Sequence, residues 1–132
     1  MIKKFTKKNS HSIVFTSLGQ VRYYSCLKYV DAVVGNSSSG LLEAPTFKIG
    51  TIDIGDRQKG RIKAESVISC NPDQKSILSS IEIIYSKKFK DTLSVVKSPY
   101  GEGGASDAIV NVLESMPLDN MLKKEFVDLD YD

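Results

Sequence analysis

The sequence predicts an α/β protein, a Rossmann-like parallel sheet with flanking helices. Short β-branched runs alternate with stretches of helical periodicity, the order that gives parallel strands joined by covering helices. One such run ends in a tight turn of small polar residues, with a helix-forming stretch directly after it. The chain is also of suitable size: 132 residues, 41% apolar and 26% charged, can bury one core.

Ser12 to Thr16 (SIVFT) is a β-branched and aromatic run and is expected to be the first strand, ended by Ser17-Leu18-Gly19. Gln20 to Val30 carries Val21, Tyr24, Leu27 and Val30 at intervals of three, one face of a helix. Ala32 to Gly35 is a short buried-strand candidate, and Asn36 to Gly40 (NSSSG) is a turn. Leu41 to Lys48 reads as a short helix that Pro45 must limit or kink. Thr51 to Ile54 alternates and meets Gly55, as a strand does before a turn. Asp56 to Lys63 is a charged loop, and Ser66 to Cys70 is the last strand candidate. Asn71 is positioned as a cap, with Pro72 at the first helical position and Gln74 completing a capping box. Ile77, Leu78, Ile81, Ile84 and Tyr85 then form an apolar stripe. A second helix is expected from about Lys87 to Val96. Pro99 to Gly104 (PYGEGG) is irregular. Ser106 opens a further helix with Ile109, Val110, Val112, Leu113 and Met116 on one face, ended by Pro117. The reading is one domain over residues 1–117 and an acidic tail over 118–132 that carries Asp119, Glu125, Asp128, Asp130 and Asp132.

Charge and composition narrow the function classes. A formal net charge of +2 argues against nucleic acid as a partner, and Lys3, Lys4, Lys7 and Lys8 read as a solvated terminus. No apolar run approaches the roughly 20 residues of a membrane span, and no apolar block follows the basic start as in a signal peptide. Cys26 and Cys70 make neither a disulfide framework nor a metal site, so both are expected as reduced thiols of a cytoplasmic protein. His11 is the only histidine and has no partner for a triad or a metal.

The stretch from Val33 to Arg61 carries the chemistry. Ligands of open α/β sheets bind beyond the carboxyl ends of the strands. A helix start there offers unpaired N–H groups to an anion. Ser37, Ser38 and Ser39 add hydroxyl donors, and Gly40 lets a phosphate approach the backbone, which together make a seat for a diphosphate. The alternative is that the serines only cap the helix. Glu43 can accept hydrogen bonds from two sugar hydroxyls, or can simply interact with the helix start. Arg57 or Arg61 can pair a phosphate in a bidentate way, or can lie in a solvated loop. No Walker spacing is present.

Gly35 to Pro45 (GNSSSGLLEAP), Ile54 to Arg61 (IGDRQKGR) and Ser98 to Ala105 (SPYGEGGA) resemble, in that order, the hydrolysing UDP-N-acetylglucosamine 2-epimerases. The third looks like that family's NPYGDG-type turn, and the resemblance runs from about Ile13 to Met116. It implies the carboxy-terminal domain of a glycosyltransferase-B-like fold, with substrate held between two Rossmann-like halves. By this resemblance Ser37 and Ser38 hold the UDP diphosphate, Glu43 holds the ribose hydroxyls and Arg57 lines the nucleotide site. The turn from Leu18 to Gln20 reads the uracil edge. The ligand implied is UDP or UDP-N-acetylglucosamine, with no cofactor and no metal, and the full-length enzyme is compatible with a homo-oligomer.

The resemblance places the family's acid/base carboxylates mainly in an amino-terminal domain that this sequence does not contain, so no catalytic residue is assigned here. His11 lies too near the strand before the Ser37 turn to be the family's active-site histidine. The sequence therefore reads as a truncated gene product or an isolated domain that binds UDP and is inactive alone. Its parent enzyme would release UDP and N-acetylmannosamine for sialic acid synthesis. The alternatives are a UDP-sugar-binding module without catalysis, an epimerase for a UDP-diacetamido sugar of legionaminic acid synthesis, and half of a UDP-dependent glycosyltransferase. The Arg57 loop and the PYGEGG turn favour the epimerase over the transferase.

Overall fold

The computed structural model describes residues 1–117 and residue 119. The chain divides into two compact units, Met1–Glu102 and a second beginning at Gly103. Apart from Asp119, the expected acidic tail over 118–132 lies outside the described residues.

The first unit is built on a sheet of three parallel strands in the order β1-β2-β3. These are β1 (Ala32–Gly35), β2 (Gly50–Ile54) and β3 (Val67–Cys70). Val34 pairs with Ile52, and Ile52 with Ile68. Because side chains alternate across a strand, β2 sends Ile52 to one face and Thr51 and Asp53 to the other. Ile52 packs with Ile84 and Phe89, flanked by Ile54, Ile68 and Leu93, which seats α4 (Gln74–Tyr85) and α5 (Lys87–Val95) on that face. A second cluster of Leu27, Ala44 and Ile49, with Tyr24, Val33 and Phe47 against it, holds α2 (Gly19–Leu27). Helices on both sides of a parallel sheet are the predicted architecture.

The helix after the serine turn is shorter than expected. It forms one turn, α3 (Ser39–Leu42), and the chain resumes as a 3-10 turn over Ala44–Phe47. Pro45 has no N–H to give a continuing helix and disfavours helical backbone at the residue before it. Lys48 then closes this segment in the left-handed region at φ 57°.

Two local expectations are corrected. The run from Ser12 to Thr16 is not a strand: among the described residues nothing pairs with it, and Ile13, Val14 and Phe15 are 77%, 41% and 53% exposed. β propensity alone does not hold a strand that has neither a ladder partner nor a buried face. The basic terminus is solvated as expected, its four lysines exposed, and it forms a helix, α1 (Ile2–Lys8), that buries no residue. The cap of α4 is Asp73 rather than Asn71. Asp73 Oδ1 accepts from Ser76 N–H at 2.9 Å and Oδ2 from Ser76 Oγ at 2.7 Å. The second unit contains α6 (Ala105–Ser115), preceded by Gly103 and Gly104, both at positive φ.

The Asp73 cap gives a pH-dependent prediction. The Ser76 backbone N–H, then the Ser76 hydroxyl, hold its carboxyl below the usual carboxylate range. A carboxyl depressed in the folded state stabilises above its unfolded-state pKa, about 3.9 for aspartate, and loses that contribution as pH falls through the folded-state value. Asp73→Ala is therefore expected to lower Tm at neutral pH, with the difference shrinking only below about pH 3.9. A thermal series by circular dichroism checks this; a difference that stays constant into strong acid contradicts it.

Candidate functional site

The carboxyl end of β1 runs into Asn36, and the turn reaches α3 at Ser39. Ser37 is exposed and Ser38 half-buried. Ser37 Oγ accepts from Ser39 N–H at 3.3 Å, and the Ser37 carbonyl accepts from Gly40 N–H at 3.2 Å. A hydroxyl that accepts one bond still has its O–H to donate. The turn therefore braces itself while the Ser37 hydroxyl keeps its proton to donate, whereas Ser39 gives its own to Glu43. With only four residues behind it, α3 contributes little aligned dipole, so an anion here would rest chiefly on these serine groups.

Gly40 has a packing reason to be glycine. A Cβ there would lie 2.5 Å from Thr51 Cγ2, and the Thr51 hydroxyl donates to the Gly40 carbonyl at 2.9 Å. Thus α3 is pressed directly onto β2, and the far end of the serine turn is fixed to the sheet.

Glu43 is the carboxylate of this region, and it is already organised. Tyr24 OH donates to Oε1 at 3.2 Å, and Ser39 Oγ donates to Oε2. Tyr23 OH forms a hydrogen bond with that same Ser39 hydroxyl. A carboxylate has about four lone-pair sites, so Glu43 retains acceptor capacity for further hydroxyls. Leu18 and Gln20 stand at the start of α2, where Gly19 adopts φ 67°. Gln20 Nε2 donates to Tyr24 OH at 3.4 Å, so the Leu18–Gln20 turn joins the Glu43 network through one tyrosine.

Arg57 is exposed in the loop after β2, as is Arg61. That loop is tied to the serine turn by Gln58, whose Nε2 donates to the Asn36 carbonyl at 2.8 Å. Just beyond it, Tyr100 OH donates to the Ile62 carbonyl at 2.8 Å, bringing the start of the PYGEGG turn to the same loop. Below them, Asp53 on β2 pairs with Lys63 at 2.8 Å, and Lys63 also donates to Ser69 Oγ on β3 at 2.7 Å.

All seven candidate residues thus lie on segments that converge at one end of the sheet. Sequence reasoning missed Tyr23, Gln58 and Lys63, and took Tyr24 only as an apolar position. The available signal was chemical: a half-buried tyrosine needs a partner for its hydroxyl, and a carboxylate-bearing turn can supply one. A cavity of about 610 Å³ lies elsewhere, beside β3, lined by Ser69, Asn71, Lys75 and Ser76 among others, and none of the seven candidates lines it. His11 is exposed, both cysteines are free thiols, and no cluster of metal-ligating side chains occurs among the described residues. No helix among them is long and apolar enough to cross a membrane.

The fold and site define a Rossmann-like α/β protein with its polar loops gathered beyond the carboxyl ends of parallel strands. The family model described as UDP-N-acetylglucosamine 2-epimerase matches residues 1–114, and the chain belongs to that family. It is 38% identical over 131 residues to the GDP/UDP-N,N'-diacetylbacillosamine 2-epimerase (hydrolyzing) of Campylobacter jejuni subsp. jejuni serotype O:2, covering 98% of this chain and 34% of the relative. It is 33% identical over 129 residues to the polysialic acid biosynthesis protein P7 of Escherichia coli, covering 97% and 33%. A 70-residue match at 36% identity to the UDP-N-acetylglucosamine 2-epimerase of Neisseria meningitidis serogroup B covers 53% and 19%. The chain therefore spans about a third of the length of the first two of these relatives.

Proposed function

We propose that the chain is the carboxy-terminal, UDP-holding part of a hydrolysing UDP-sugar 2-epimerase that works in the cytoplasm. The observation that carries this reading is the hydrogen-bonded junction of the three family-like motifs. Gln58 joins the DRQKGR loop to the serine turn, and Tyr100 joins the PYGEGG turn to that loop. In this reading Ser37 and Ser38 donate to the diphosphate, and Arg57 faces it from the neighbouring loop. Glu43, oriented by Tyr24 and Ser39, accepts from the ribose hydroxyls. Leu18 and Gln20 border the uracil.

The parent reaction is the release of UDP with inversion at C2 of the amino sugar, giving N-acetylmannosamine from UDP-N-acetylglucosamine. A diacetamido sugar is the second reading, supported by the 38% identity to the C. jejuni enzyme over nearly the whole chain. The sugar would project from the diphosphate away from the residues described here, so both readings use the same nucleotide contacts.

Removing one partner of a charge-assisted hydrogen bond costs about 1.5–3 kcal/mol, tenfold or more in affinity. Glu43→Ala is expected to weaken UDP by that factor and to leave 2',3'-dideoxyuridine diphosphate nearly unchanged. Titration calorimetry with both ligands tests it; equal losses for the two would remove Glu43 from the ribose.

A further inference from the structure

Gln58 is the one buried side chain in a run of exposed ones. It is 3% exposed, while Asp56, Arg57, Lys59, Gly60 and Arg61 around it are all exposed. Glutamine is seldom buried without a reason, because both ends of its amide need partners. Here one end has one: Nε2 donates to the Asn36 carbonyl, across 22 residues of sequence. The other end, Oε1, is buried with no hydrogen-bond partner among the described residues. A half-satisfied buried amide is a poor way to gain stability. It is a good way to hold one backbone carbonyl in place.

The held carbonyl is the first of the serine turn. The last, that of Gly40, is held by the Thr51 hydroxyl. Ser37, Ser38 and Ser39 are thus suspended between two anchors, one on the following loop and one on β2. The loop carrying Gln58 is itself shaped by internal bonds, Lys59 N–H to the Asp56 carbonyl at 2.8 Å and Arg61 N–H to the Gln58 carbonyl at 3.3 Å. We infer that Gln58 is a positioning residue: it sets the serine turn against the Arg57 loop, so that the serine donors and the arginine address one anionic group together. The turn's placement follows from the contacts above; its service to a diphosphate rests on the reading of this site as a UDP seat. Preorganised donors bind an anion more tightly because they are not ordered at its expense.

The test uses this chain with Gln58→Met, which keeps the volume but has no N–H to give. Two measurements are made under conditions where a thermal scan shows the variant folded. Amide hydrogen exchange is expected to quicken at least about tenfold at Ser39 and Gly40, whose N–H groups are bonded within the turn, with the β2 amides unchanged. UDP affinity, by calorimetry, is expected to fall about tenfold, while uridine, which lacks the phosphates, keeps its affinity by ligand-observed NMR. A purely structural role would quicken exchange throughout the sheet and weaken both ligands alike, and either result overturns the inference. Unchanged exchange in the serine turn overturns it as well, as does a looser turn that binds UDP at full strength. If Gln58→Met proves unfolded, the same measurements on Gln58→Leu decide. A wild-type chain that fails to bind UDP would sink the nucleotide reading alone, since the exchange measurement judges Gln58 without any ligand.

Discussion

Lys63→Met is expected to destabilise the first unit by about 3–5 kcal/mol, the cost of stranding a buried charge. Asp53 is 1% exposed, and Lys63 Nζ at 2.8 Å is the partner of its Oδ2. The other oxygen, Oδ1, has no hydrogen-bond partner among the described residues, so removing Lys63 would leave the carboxylate without its counter-charge. Lys63 is 25% exposed, which lets water replace part of the lost interaction and puts the expectation toward the lower end of the range. The bond to Ser69 Oγ adds a second loss, because Lys63 also links the loop to β3. Urea denaturation of Lys63→Met, Asp53→Asn and the double variant separates these contributions. If the stranded charge is the cause, Asp53→Asn should recover most of the loss in the Lys63→Met background, giving a coupling energy well above the about 0.3–0.5 kcal/mol expected of independent sites. A single-variant loss within about 0.5 kcal/mol, as at an ordinary surface position, would show that the pair contributes nothing.

The same pair shows where the sequence is legible and where it is not. Ala32–Gly35 was expected as a strand and is one, and the strands over 50–54 and 67–70 differ from expectation only by a residue at the start. Local pattern and flanking glycines suffice to mark the strands there, but not their burial: β1, expected as a buried strand, buries none of its residues, and Val34 is 54% exposed. The segment 12–16 has the same local signal and forms no strand, since a ladder needs a neighbour and local pattern says nothing of one. The serine turn was legible because an apolar run into small polar residues is itself a local pattern. Its supports were not. Tyr24 meets Glu43 at a separation of 19 residues and Gln58 meets Asn36 at 22, and neither spacing has a periodicity that would mark it. Tyr24 satisfied the helix pattern as an apolar residue, which concealed its hydroxyl. Gln58 sat in a charged loop, where burial is the least expected outcome. Gly40 shows a further limit. Its place in a turn suggests approach by a ligand, while the contact that forbids a side chain is Thr51, on a strand eleven residues on.

Purified alone, the chain is expected to release no UDP from UDP-N-acetylglucosamine above background. Cleaving the anomeric C–O bond and moving the C2 proton require a positioned acid and base, each contributing about 10²–10⁴-fold. Three carboxylates of the first unit are already committed, and Asp56 and Glu102 are exposed on their loops. Glu43 is held by Tyr24 and Ser39, Asp53 is buried against Lys63, and Asp73 caps α4. His11 is exposed on a segment that pairs with nothing among the described residues. The chain also spans only about a third of the C. jejuni and E. coli relatives, so a sugar hanging from the diphosphate would meet water rather than an enclosed site. An open site loses the preorganised, low-dielectric surroundings that make electrostatic stabilisation of a transition state effective. In the proposed reading UDP binding would not share this dependence, because the serine turn, Glu43 and Arg57 all belong to the first unit. Incubation with UDP-N-acetylglucosamine, following UDP and N-acetylmannosamine together, tests the separation. Turnover by the chain well above that of Glu43→Ala would mean that it carries its own acid and base. Silence that ends when the remaining two thirds of a related epimerase is added would assign the chemistry to that part and the nucleotide to this one.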